Sequence, residues 1–295
     1  METGLVIAAY RRHFDIALPN GEHVACVLKG RSLQIAVGDH VQIRRSADGG
    51  AIEAVVGRTN LIYRSDAFKE KLLAANVTQI AGVVAPDLSL DEELINRWMI
   101  AAEAADCRFV LFANKTDLPD FPELRRRLAP FAALGYPIVE LAAREEAAPA
   151  LPWLVDRHTV LVGQSGMGKS TLINALLPEA AVRTTEISTA LQTGRHTTTS
   201  TTLYPLPGVG HDTWIVDSPG MKAFGLAHLE PSRLAEAFVE LRPFLGHCRF
   251  RDCRHDEEPG CAVTAAVAAG HVAPHRLALL HTLLRDANYA RTKGR

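Results

Sequence analysis

Eight residues, Gly163-Gln164-Ser165-Gly166-Met167-Gly168-Lys169-Ser170, carry the spacing G-x-x-x-x-G-K-S. Glycines at these positions let backbone N–H groups wrap a polyphosphate where a helix begins, and the helix dipole favours negative charge there. In that arrangement Lys169 reaches the β- and γ-phosphates and assists their transfer. The Ser170 hydroxyl ligates Mg²⁺, and Thr171 completes the nucleotide-binding stretch. A second group, Cys248-x₄-Cys253-x-His255-x₅-Cys261, places three sulfurs and one imidazole within 14 residues. That donor count predicts a closed tetrahedral site for one structural Zn²⁺, with His247 as a competing ligand. All four positions are filled by protein, so an open catalytic zinc is excluded.

Two further motifs flank the glycine loop. Asn114-Lys115-Thr116-Asp117 precedes it. An ionised Asp117 can accept hydrogen bonds from guanine N1–H and the exocyclic amine, whereas adenine would leave that carboxylate unpaired. Asn114 would hold the loop and approach the base, and the stem of Lys115 would cover its face. Asp217-Ser218-Pro219-Gly220 follows the glycine loop. Asp217 suits a water-mediated contact to Mg²⁺, and the Gly220 N–H suits the γ-phosphate. Between them lies Gly194-Arg195-His196-Thr197-Thr198-Thr199, a loop in which a threonine can close over Mg²⁺. Met221 occupies the place where many GTPases carry a water-orienting glutamine. An imidazole can orient or deprotonate water, so His196 is the candidate substitute; the alternative is that it only supports its loop. In most GTPases the phosphate loop leads and the base reader trails. Here the base reader leads, so the chain reads as circularly permuted.

The elements that must hold these motifs follow from periodicity. Residues 1 to about 60 read as short strands broken by turns, with strands at 5–8, 24–28 and 40–43 and turn signals at 19–21, 37–39 and 48–50. Close strand spacing without a helix predicts a small all-β barrel of the OB-fold kind. From residue 77 strands alternate with helices: strands over 77–85, 108–113, 137–141 and 158–162, helices over 91–105, 123–134 and from the glycine loop to 177. Further strands are expected at 204–206 and 213–216. The alternation predicts a mostly parallel α/β sheet covered on both faces. After residue 225 the pattern is helical, interrupted by the cysteines. The expected domains are 1–62, an RNA-binding barrel; 63–228, the permuted GTPase unit; and 229–295, a helical zinc-binding module.

Composition agrees with a soluble chain: 47% hydrophobic and 22% charged residues over 295, with a net charge of −1. That balance does not advertise a nucleic-acid partner, but local basic clusters occur at 11–12, 44–45 and 125–127. A basic tail holds Arg276, Arg285, Arg291, Lys293 and Arg295. No run approaches the roughly 20 apolar residues that span a bilayer. A cytoplasmic protein without membrane attachment is expected, and nothing demands more than a monomer. Cys26 and Cys107 read as inert core or boundary residues.

These parts together resemble the RsgA (also called YjeQ) family of circularly permuted GTPases. The resemblance rests on the motif order, the string at 194–199, and the zinc spacing that begins Cys248-Arg249-Phe250-Arg251-Asp252-Cys253-Arg254-His255. It implies an OB-fold barrel that contacts 16S rRNA, binding to the 30S ribosomal subunit, and a role late in that subunit's maturation. It also implies GTP hydrolysis, with GDP as product, stimulated by the subunit. By resemblance His196 is the catalytic histidine, and Thr198 is the switch threonine that ligates Mg²⁺ and assists catalysis. The backbone donors to guanine O6 fall at Ala142 and Ala143, where the family's usual serine hydroxyl is missing. In this motif order the second switch leads into the C-terminal module, so GTP is expected to set the spacing of the two flanking modules. Two other readings stay open: a nucleotide-gated RNA-binding module with negligible turnover, and an ATP-dependent small-molecule kinase.

Overall fold

The computed structural model describes residues 1–10, 13–28, 33–46, 49–66, 69–86, 90–177, 201–218, 224 and 226–293. Its first five strands, β1 (Glu2–Tyr10), β2 (His13–Ala17), β3 (His23–Leu28), β4 (His40–Ser46) and β5 (Gly49–Val56), run in the order β1-β2-β3-β5-β4. An antiparallel β4–β1 pairing closes the ring into a five-stranded barrel of OB-fold type. Alternation along β1 and β4 turns Val6, Val41 and Ile43 inward, where they meet Phe14, Ile16, Val24, Cys26 and Ile52. Asp39 is fully buried beneath this ring, and it is held by Arg58 Nε at 2.8 Å and by the Ala36 N–H at 2.8 Å. A hairpin of β6 (Leu61–Asp66) and β7 (Lys69–Ala75) forms a separate two-stranded sheet.

The second unit is an open sheet. Strands β8 (Gln79–Val84), β9 (Arg108–Asn114), β10 (Ile138–Leu141), β11 (His158–Val162) and β13 (Trp214–Asp217) are parallel in the order β10-β9-β8-β11-β13. Strand β12 (Thr201–Pro205) is antiparallel to β13 and pairs on its far side with barrel strand β1. Barrel and open sheet are therefore one continuous 11-stranded sheet. Helices α1 (Glu92–Ala104) and α2 (Phe121–Ala133) lie on one face; α3 (Leu151–Leu154) and α4 (Lys169–Leu176) pack their apolar residues with the other. Asp91 caps α1 by accepting the Leu94 N–H at 3.0 Å, and Glu92 and Glu93 favour its positive end. Gly82 lets α1 sit close, since a Cβ there would lie 2.9 Å from Leu111 and 3.0 Å from the Trp98 ring.

The C-terminal helices α5 (Pro231–Glu236), α6 (Ala262–Ala268) and α7 (Pro274–Lys293) add a third layer over α1. Leu234, Phe238, Val263, Leu280 and Leu283 belong to the same hydrophobic cluster as Ile80, Trp98 and Leu111 of the open sheet. Arg276, read from the sequence as part of a basic tail, is buried at 3% exposure. It donates to Glu240 and to Asn96 of α1, with its guanidinium 4.7 Å from the Phe238 ring centre. The basic clusters at 44–45 and 125–127 are likewise paired, on the surface: Arg44 with Glu53, Arg45 with Glu2 and Glu22, and Arg125, Arg126 and Arg127 with Glu140, Glu123 and Glu92. The cluster at 11–12 lies outside the described residues. No helix among the described residues is long and apolar enough to cross a membrane.

Candidate functional site

The parallel strands all end on one edge, and register sets the motifs side by side there. Asn114 ends β9 opposite Leu141 of β10; Val162 of β11 stands opposite Gly82 of β8; Asp217 ends β13 opposite Leu161. Loops leaving the carboxyl ends of such strands form the ligand crevice of open α/β sheets. Four stretches distant in sequence meet there: 114–117, 142–143, 163–171 and 217–218.

The glycine loop leaves β11 and enters α4. Gly166 and Gly168 adopt φ of +82° and +101°, a region L side chains rarely visit. Gly168 has a second constraint, because a Cβ there would lie 2.1 Å from Asn114 Nδ2. A Cβ at Gly163 would lie 2.6 Å from the Val83 carbonyl oxygen. Lys169 is buried, and its ammonium donates to the Gly163 and Gln164 carbonyls at 2.6 and 2.9 Å. Burial pushes its pKa down, and the nearby Asp217 carboxylate opposes that shift. Asp217 is pushed the other way: burial raises it and Lys169 lowers it. The buried Lys169 and the half-buried Asp217 thus influence one another's charge at the sheet edge. Ser170 and Thr171 begin α4, with Ser170 exposed toward solvent.

Asn114 is the centre of the geometry beside the glycine loop. It is buried, its Nδ2 donates to the Met167 carbonyl at 3.0 Å, and its Oδ1 accepts the Ala143 N–H at 2.9 Å. One side chain thus ties the glycine loop to the loop after β10. Lys115 takes φ of +68°, turning the chain so that Asp117 is presented to solvent at the edge. Ala142 and Ala143 are buried behind it, with Glu145 and Glu146 donating their N–H groups to the Ala142 carbonyl at 2.8 Å. The exposed Arg144 follows. Sequence reasoning expects Asn114 to hold its loop but misses the 53-residue reach to Met167, which no local signature advertises. It also misses Ser218 as a tie: the hydroxyl donates to the Leu161 carbonyl at 2.6 Å, anchoring the exit from β13. His196, Thr198, Gly220 and Met221 lie outside the described residues.

The second site is the cysteine cluster. Cys248, Cys253, His255 and Cys261 bring one donor atom each within 4.8 Å of one another. Cys248 Sγ and Cys261 Sγ are 3.9 Å apart, and each lies 3.5 Å from His255 Nδ1. A tetrahedron with Zn–S near 2.3 Å and Zn–N near 2.0–2.1 Å has edges of about 3.8 Å between sulfurs and about 3.6 Å between sulfur and nitrogen. The donors fit that ion in both chemistry and spacing. His255 reaches the cluster through φ of +61°, and His281 of α7 secures its carbonyl at 2.8 Å. Cys261 also caps α6, accepting the Thr264 N–H. His247 is not part of this donor set. Cys107, in contrast, is an ordinary buried thiol, pushed up to about 12 by burial and donating to the Val77 carbonyl at 3.0 Å.

Comparison with known proteins supplies the context for this geometry. Residues 55–227 match the model of the RsgA GTPase family. The small ribosomal subunit biogenesis GTPase RsgA of Burkholderia pseudomallei (strain K96243) is 47% identical over 292 residues, covering 97% of this chain and 92% of its own. The protein of the same description from Paraburkholderia xenovorans (strain LB400) is 47% identical over 294 residues, covering 97% and 93%. Among solved structures, that of YjeQ from Thermotoga maritima superimposes with a TM-score of 0.71 at 28% identity, covering 97% of this chain and 98% of its own. YloQ, described as a circularly permuted GTPase, gives a TM-score of 0.67 at 23% identity, covering 98% and 96%; it supports the fold alone. By motif order, fold and full-length similarity, the chain belongs to the RsgA GTPase family of circularly permuted GTPases.

Proposed function

We propose that this protein binds the small (30S) ribosomal subunit and hydrolyses GTP there during the subunit's late maturation. The observation that carries this reading is the convergence of the base-reading, phosphate and metal motifs on one sheet edge, beside a barrel of the kind that binds nucleic acid. The names of its relatives supply the subunit as partner. Division at 62/63 and 228/229 into barrel, GTPase unit and zinc module is part of the same proposal.

In this reading Gly163 to Thr171 cradle the phosphates, and Lys169 leaves its two loop carbonyls to meet the β- and γ-oxygens. Asp117 reads the guanine edge, the Lys115 stem covers the base, and the backbone at Ala142 and Ala143 faces O6. Ser170, Thr198 and Asp217 would hold Mg²⁺, which supplies charge neutralisation between the phosphates. Gly220 would contact the γ-phosphate, and His196 would orient the attacking water. Cys248, Cys253, His255 and Cys261 hold one structural Zn²⁺ that fixes a loop too polar to fold by packing. The protein acts as a monomer in the cytoplasm.

A sedimentation assay tests the partner and the base together. Small subunits should co-sediment the protein with a non-hydrolysable GTP analogue better than with GDP, and an ATP analogue should have no effect. Equal co-sedimentation with ATP and GTP analogues would refute the guanine assignment. Absence of subunit binding in every nucleotide state would refute the partner.

A further inference from the structure

We propose that strand β12 links occupancy of the barrel to occupancy of the nucleotide site. This rests on the reading above, in which the barrel meets RNA on the subunit and the sheet edge takes GTP. One residue carries the shortest path. Thr202 stands opposite Ala8 of the barrel on one side and opposite Asp217 on the other. Neighbouring strands lie about 4.8 Å apart, so barrel and Asp217 are separated by only two strand spacings, about 10 Å. The next pair, Ala9 with Thr201, extends the ladder to the first residue of β12.

The same barrel also holds the opposite ends of β11 and β13. Asn76, at φ of +55°, donates from Nδ2 to the Gly38 carbonyl at 2.9 Å, and its Oδ1 accepts the Thr59 N–H at 2.8 Å. Its carbonyl lies 3.0 Å from Nδ1 of His158, the first residue of β11. The His158 ring stacks on Trp214, the first residue of β13, with centroids 4.3 Å apart and planes 13° apart. The two strands that deliver the phosphate loop and Asp217 are thus tied to the barrel at their starts through Asn76, and β12 pairs with β13 along its whole length. A shift of the barrel cannot leave Asp217 where it was unless one of these attachments opens. Among the described residues the C-terminal module shares the hydrophobic cluster of the open sheet and is pinned to α1 by Arg276.

The reciprocity of linkage makes the claim measurable: if nucleotide state alters subunit affinity, the subunit alters nucleotide affinity by the same factor. Two cysteine pairs, Ala8→Cys with Thr202→Cys and Ala9→Cys with Thr201→Cys, would lock β1 to β12 across the junction. Successive antiparallel pairs alternate between the wider and the closer kind, both within disulfide range. Affinities for a GTP analogue and for GDP are measured with and without small subunits, in oxidised and reduced protein, with oxidised wild type as control and mass spectrometry confirming the cross-link.

The expected result has three parts. Subunits change the analogue-to-GDP affinity ratio of wild type by about tenfold, within the usual range of such couplings. The cross-linked protein still binds subunits and keeps that factor or raises it, because the locked ladder transmits the shift without opening. Reduction returns it to the wild-type value. Cross-linked protein that binds subunits with that factor fallen to within about twofold of one would overturn the inference and leave the proposed function standing. So would wild type that binds subunits with a factor of one. Wild type that binds no subunits at all would overturn the proposed function and this inference with it.

Discussion

Asn114→Ala is the substitution with the most calculable consequence at the nucleotide edge. It removes the acceptor of the Ala143 N–H and the donor to the Met167 carbonyl, both buried. Leaving a buried backbone group unpaired costs about 1–3 kcal/mol each, so the two together cost about 2–6 kcal/mol. Nucleotide binding requires both loops in their present places, so most of this cost appears as lost affinity. At 1.4 kcal/mol per tenfold, GDP affinity should fall by at least about 30-fold. Asn114→Asp keeps an acceptor for Ala143 but sets a carboxylate against the Met167 carbonyl, and should be impaired as well. Titration calorimetry with GDP reads the affinity without turnover, and thermal melting reads any share lost to stability. Affinity within threefold of wild type with an unchanged melting temperature would refute the bridging role.

Other consequences follow from the same physical arguments. Arg276→Met leaves Glu240 buried and without its partner, costing about 3–5 kcal/mol; adding Glu240→Leu should recover most of it, since replacing both charges by apolar side chains is tolerated. For a chain of this size the single change should lower the melting temperature by roughly 6–20 °C, and a shift of a degree or less would contradict the pairing. Cys253→Ser, or a strong chelator, should release one zinc per chain and loosen the 248–261 loop; hydrogen exchange that stays unchanged in that loop would contradict a structural metal. His196→Ala should lower subunit-stimulated turnover by about 10²–10⁴-fold while leaving GTP affinity intact. Equal losses in both would assign His196 to binding instead.

The parts of the fold legible in sequence are those with strong punctuation. The sequence predicts a strand at 158–162 and β11 lies there, because an apolar run of that length directly before a glycine loop has few alternatives. Helix α1 is bounded by its Asp91 cap and acidic first turn. The barrel class is legible from turn spacing, but β2 and β5 are not. Gly49 and Gly50 read as a turn, yet they open β5. A Cβ at Gly49 would lie 2.4 Å from the Ala25 carbonyl oxygen, and one at Gly50 would lie 2.8 Å from Cys26 Sγ. Those glycines mark close strand approach, a tertiary fact without local signature. Strand β12 is predicted at 204–206 and instead spans Thr201–Pro205, its first half hidden in a polar threonine run.

The motifs are legible because the chemistry of phosphate and metal binding fixes residue type and spacing locally. What joins them is not. The reach of Asn114 to Met167, the tie from Ser218 to Leu161 and the burial of Arg276 all depend on which strands become neighbours. The surface pairing of the arginine clusters with distant glutamates has the same origin. The Cβ-free approach at Gly168 shows how tightly the two ends of the motif set are fitted once folded.

The most direct test of the central claim is the rate of GTP turnover by the purified protein, with and without small ribosomal subunits, and with ATP as control. Slow GTP hydrolysis alone, strong stimulation by the subunits and no use of ATP are the predicted results. Unstimulated turnover, or equal hydrolysis of ATP, would contradict a guanine-specific GTPase switched on by the small subunit.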